Sequence, residues 1–116
     1  MNTTCTALIV PARLSQPVRT ETIDASLPTL QNLVEGNIEA ITRGDWHAYL
    51  NEEGKIINLP PNIRAGHLIR ETGLYLTDIF CGTVVFLGQD AHGEETDVPD
   101  YLIGLAEELF DARLSA

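Results

Sequence analysis

The sequence predicts an α+β domain, a mainly antiparallel sheet carrying two main helices and a short connecting helix. Three observations predict it. Apolar and β-branched runs of strand length recur along the chain, two segments repeat leucines at helical spacing, and turn residues separate these segments about every ten to fifteen positions. The 116 residues suit one hydrophobic core, since a single core usually needs about 100 to 150 residues. One domain over 1–116 is therefore expected, with its core at about 6–112.

Residues 6–10 form a short apolar run closed by Pro11, as a buried strand does. Residues 18–23 alternate Val18, Thr20 and Thr22 with Arg19, Glu21 and Ile23 after the turn material Ser15-Gln16-Pro17, so the two runs read as neighbouring strands. Ser26 offers a capping oxygen and Pro28 suits a first helical turn. Leu27, Leu30, Leu33 and Val34 share one face before Gly36 ends the helix. Residues 38–42 and 45–51, split by Arg43-Gly44, suit a hairpin with Trp46, Ala48 and Leu50 on one face and His47, Tyr49 and Asn51 on the other.

Gly54 then turns the chain into Lys55-Ile56-Ile57, which reads as the second arm of another hairpin. Pro60-Pro61 cannot continue a regular strand, because proline lacks the ladder donor. A short helix is expected from Asn62 through Arg64, Ala65 and Leu68. The run 79–87 is apolar or β-branched on both faces, which predicts a central strand covered on two sides. The same pattern also suits a dimer interface, so a homo-oligomer stays open. After an acidic loop at 89–97, Asp97 caps a last helix with Pro99 in its first turn. Val98, Tyr101, Leu102, Leu105 and Leu109 recur at helical spacing.

Charge is the departure from average composition. The chain carries 17 Asp and Glu against 7 Lys and Arg, a net charge of −10. Nucleic acid and anionic lipid both need a positive footprint, so direct binding to either is excluded as an expectation. No run reaches the roughly 18 apolar residues of a membrane span, and residues 1–10 lack the basic start and cleavage site of a secretory signal. A cytoplasmic location is expected. Cys5 and Cys81 lie in apolar runs without CxxC spacing or a neighbouring base, as reduced core thiols do.

Chemistry-bearing motifs are missing. His47, His67 and His92 form no HExxH or His/Cys cluster, and no GxSxG, Walker A or GxGxxG occurs, so neither metal nor cofactor is expected. The loop around His92 gathers imidazole and carboxylates but lacks the alternation of a calcium loop. The acid pairs Glu52-Glu53, Glu94-Glu95 and Glu107-Glu108 are adjacent in sequence, and neighbours on a strand or helix point apart, which suits solvation better than acid–base catalysis. A non-enzymatic protein is expected.

Three stretches in order carry a resemblance: Leu30-Gln31 with Val34, Gly36, Ile38 and Glu39; Asn51-Glu52-Glu53-Gly54-Lys55; and Leu59-Pro60 with Asn62, Arg64 and Ala65. They precede Gly82-Thr83-Val84-Val85 with Gly88, and Asp97-Val98-Pro99. Together they resemble a family of uncharacterised small domains of actinobacteria, bacteriophages and plasmids. The likeness covers roughly 6–105 and departs from the family pattern in the reversed order of Gly93-Glu94. The resemblance implies a short, soluble, often acidic accessory protein of mobile elements, sometimes beside or fused to antirestriction proteins. It carries over no catalytic residue.

Two site expectations follow. The acids Asp90, Glu94, Glu95, Asp97, Glu107, Glu108 and Asp111 belong to residues 90–116, which hold 8 of the 17 acids and one arginine. They are expected to form a surface for a host protein with a basic face, in one version by imitating the charge of a DNA backbone. The alternative is a small-ligand pocket for an anion or nucleotide, with Asn51, Glu52, Glu53, Asn62, Arg64 and His67 as its polar contacts.

Overall fold

A computed structural model describes residues 4–75 and 79–114. Six strands and three helices follow in the order β1 (Thr4–Val10), β2 (Arg19–Asp24), α1 (Leu27–Val34), β3 (Ile38–Arg43), β4 (Trp46–Asn51), α2 (Ile63–Glu71), β5 (Val84–Gln89), β6 (Glu95–Thr96) and α3 (Asp100–Phe110). The strands make one sheet in the order β2-β1-β5-β4-β3, every pairing antiparallel, and β6 pairs with the end of β5. The architecture is α+β, as the sequence predicts. No helix among the described residues is long and apolar enough to cross a membrane.

Helices cover both faces of this sheet. Leu8, Val10, Trp46, Ala48, Leu50, Val84 and Phe86 point toward α2 and α3, where they meet Ala65, Leu68, Ile69, Leu102 and Ala106. Trp46 and Phe86 stack obliquely with ring centroids 5.8 Å apart. Cys5, Ala7, Ile9, Tyr49, Val85 and Leu87 point the other way and meet Leu30 and Val34 of α1. Strands β1 and β5 are therefore apolar on both faces because both faces are roofed by helices. The β3–β4 hairpin also forms as expected, with Gly44 at φ 58 in its two-residue turn.

Five local expectations need correction. Residues 55–57 form no strand. Residues 52–58 are a succession of turns held by Ile57 N–H to the Glu53 carbonyl and Leu59 N–H to the Gly54 carbonyl, and Ile56 is left 77% exposed. The strand expected from residue 79 starts only at Val84. Gly82, at φ 90, breaks it, and a side chain there would strike Leu59.

The other three concern helix ends. Ser26 sits at the N-cap of α1, but its hydroxyl donates to Thr29 Oγ1 instead of capping the backbone. The left-handed residue closing α1 is Glu35 (φ 66), one position before Gly36. Asp97 does not cap α3: its carboxylate accepts the Thr6 N–H at 2.7 Å, and Pro99 holds the cap position.

Candidate functional site

The two asparagines expected to meet a ligand are buried and spent on the backbone. Asn51 Nδ2 donates to the Val34 and Glu35 carbonyls, which the end of α1 leaves without helical partners, and its Oδ1 accepts the Glu53 N–H at 2.7 Å. Asn62 Nδ2 donates to the Val10 and Gly82 carbonyls at 2.8 and 2.9 Å, while Oδ1 accepts the Ala65 N–H and caps α2. Each carboxamide therefore joins two or three chain segments at one point.

Arg64 does comparable work nearer the surface. One of its terminal nitrogens donates to the carbonyls of Pro11, Arg13 and Gln16, so a single guanidinium holds the β1–β2 connection. Burial lowers its pKa from the ordinary value. Its Nε has no partner among the described residues.

The expected pocket residues separate. Glu52 and Glu53 line a hollow of about 290 Å³ with Lys55, Ile56 and Cys81. Asn62 and His67 line a second, of about 550 Å³, with Ile63, Gly66, Arg70 and Ile79. Ile79 belongs to both walls. Arg64 borders neither.

The expected acidic surface is also divided. Asp90 Oδ1 accepts the His92 and Glu94 N–H groups, a turn that organises the loop from within. Glu95 turns inward, where its Oε1 accepts the Tyr49 hydroxyl at 2.7 Å and lies 2.7 Å from Nε2 of the buried His47 without an aligned hydrogen bond to that ring. Burial first, then this bond and the Glu95 charge, push the Tyr49 pKa well above the ordinary tyrosine value. Glu107 accepts the Leu114 N–H at 2.7 Å. Asp90, Glu94, Glu108 and Asp111 remain exposed, and no cation pairs with them among the described residues.

Among the described residues, His47, Tyr49 and Glu95 form a largely buried polar cluster that the sequence alone does not assemble. The period of β4 already put His47 and Tyr49 on one face, but nothing in the residue pattern foretold β6, which delivers Glu95 to them. Cys5 adds no nucleophile here. Burial raises its thiol pKa, and the Asp97 and Glu95 carboxylates raise it further, so it stays a neutral thiol.

Along the outer side of α3 the exposed residues Tyr101, Gly104, Glu108 and Asp111 follow one another at helical spacing. Tyr101 donates its hydroxyl to Asp45, and a side chain at Gly104 would meet nothing within 4 Å. The last turn of α3 carries no basic residue.

No curated protein and no solved structure matches the chain. The family described as Domain of unknown function (DUF3846) matches residues 5–111. That span runs from β1 through the end of α3 and takes in both roofed faces of the sheet, so the chain belongs to the DUF3846 family.

Proposed function

We propose that this domain is a non-enzymatic acidic binding protein that engages a basic face of a partner protein through the outer side of α3. The observation that carries the reading is where the acids sit. Glu108 and Asp111 stand exposed at the C-terminal end of α3, where the helix dipole is negative, and the last turn of the helix carries no basic residue. Acids at a helix C-terminus weaken the helix, so their placement there suits an encounter with external positive charge better than it suits the fold.

Gly104 strengthens the case. A glycine inside a helix costs roughly 1 kcal/mol against alanine, and nothing in the chain's own packing requires one here. The missing side chain leaves open space at Gly104, between the exposed Tyr101 and Glu108 along the helix. Asn51, Asn62 and Arg64, by contrast, are held in bonds to the backbone.

With the net charge of −10, this favours a host protein with a basic, nucleic-acid-binding groove, encountered in the cytoplasm, as an anti-defence accessory of a phage or plasmid would require. The experiment is affinity capture from host lysate with wild type, a Glu108→Lys/Asp111→Lys variant and an Asp24→Lys control on β2. The expected result is one partner, released by salt, lost with the α3 variant and retained with the control. Capture that ignores both salt and the α3 reversal overturns the reading.

A further inference from the structure

We infer that the hollow beside α2 binds a small amphiphilic anion, an elongated apolar body ending in a single carboxylate. Ile63, Gly66, His67 and Arg70 recur at i, i+3, i+4 and i+7, so they form one stripe of α2, and Pro61 and Ile79 raise a wall beside it. The stripe is about 10 Å long at 1.5 Å per residue. At the Ile63 end the hollow is apolar: Ile63 is 72% exposed and Ile79 64% exposed, large aliphatic side chains facing solvent beside the same space. Arg70 stands at the opposite end of the stripe, with His67 one turn before it.

Charge selects the sign of the occupant. In a chain of net charge −10 this hollow is lined, among the described residues, by an arginine and a histidine and by no carboxylate. The polar groups available also limit the ligand to one head. Asn62 is on the wall, but all of its amide is engaged by Val10, Gly82 and Ala65. A nucleotide, with a base edge, a ribose and phosphates to satisfy, finds too few partners.

Gly66 supplies the second, independent observation. It lies on the floor of the hollow, inside a helix where glycine is unfavourable. A Cβ built there would meet only Phe80 Cδ2 at 3.8 Å, an ordinary contact. Neither backbone conformation nor close packing demands the glycine, although it is one of the residues that line the hollow.

The inference is independent of the partner reading of α3. The test titrates the ¹⁵N-labelled full chain with 4-phenylbutyrate, with the isosteric 4-phenylbutylamine, and with AMP. The carboxylate is expected to shift the amide signals of Ile63, Gly66, His67 and Arg70, and the amine is expected to leave them in place. Arg70→Gln should weaken carboxylate binding about tenfold, the loss of one charge-assisted contact. Gly66→Leu should fill the floor and abolish binding while the melting temperature holds, and Gly66→Ala, the milder variant, should weaken it. Equal binding of amine and carboxylate, shifts confined to another part of the chain, tighter binding of AMP, or wild-type affinity in a folded Gly66→Leu each overturns the inference. Loss of partner capture by the α3 variant leaves these outcomes untouched, so the two readings fail separately.

Discussion

The Asn51 carboxamide occupies the space in which a side chain at Gly36 would lie. A Cβ at Gly36 would approach Asn51 Nδ2 to 2.5 Å, while that nitrogen donates to the two carbonyls just before it, those of Val34 and Glu35. The glycine and the asparagine are therefore one device: the helix end stays bare so that β4 can cap it. Asn51→Ala removes two donated bonds and one accepted bond at a buried point, and a loss of about 2–3 kcal/mol is expected. Gly36→Ala should be harmful in the wild type and much less so in the Asn51→Ala background. Urea denaturation of the two single variants and the double variant measures this, and strictly additive losses would refute the coupling.

Asn62 gives a second stability prediction with a different signature. Its Nδ2 faces two carbonyl oxygens, those of Val10 and Gly82. Asn62→Asp replaces that donor with a carboxylate oxygen and sets like partial charges against each other, although the oxygen that caps α2 is kept. The new carboxyl should have a folded-state pKa raised above its unfolded value of about 3.9. A raised pKa adds stability that is complete below the unfolded value and is lost as pH rises through the folded one. Relative to wild type, Asn62→Asp should therefore be most deficient at neutral pH and recover toward pH 4. A deficit independent of pH would contradict this geometry.

The element order was legible because hydrophobic period carries it. Leucine spacing marked α1 and α3, alternation placed Trp46 opposite Tyr49, and the doubly apolar run around Val85 announced a strand roofed on both sides. What was not legible depended on contacts distant in sequence. Residues 55–57 have strand composition but no neighbouring strand to pair with, so local turn bonds prevail there. The run from Ile79 is interrupted by Gly82, which takes a positive φ and leaves the space that Leu59 fills. Asn51, Asn62 and Arg64 stand out in the sequence as polar residues among apolar ones, but sequence cannot tell a side chain that serves a ligand from one that serves a distant carbonyl. Glu95 reads as surface charge because nothing local reveals that β6 turns it onto Tyr49.

Two tyrosines should titrate late. Burial, then the hydrogen bond to Asp45 and the Asp45 charge, push the Tyr101 phenol up to about 12, with Arg43 opposing in part. Tyr49 shifts in the same direction through burial and Glu95. A raised folded-state pKa stabilises fully below the unfolded value of about 10 and loses that contribution as pH climbs through the folded value. Stability should therefore fall between about pH 10 and pH 12, and Tyr101→Phe should flatten part of that fall. Phenolate absorbance and urea midpoints across this range test it. Two tyrosines ionising together at the ordinary value in the folded protein would refute it.

The α3 acids should trade stability for binding. Asp100 lies in the first turn, where the helix dipole favours negative charge, whereas Glu108 and Asp111 lie where it does not. Reversing each charge should then act with opposite sign: Asp100→Lys lowers stability, while Glu108→Lys and Asp111→Lys raise it, by about 0.3–1 kcal/mol each at low salt. Gly104→Ala should add up to about 1 kcal/mol through helix propensity alone, since its added methyl meets nothing. Salt should shrink the three charge effects and leave the glycine effect in place. A chain that becomes more stable by these changes and at the same time stops capturing its partner holds those residues for the partner. If the same changes stabilise it and capture persists, α3 is not the binding face.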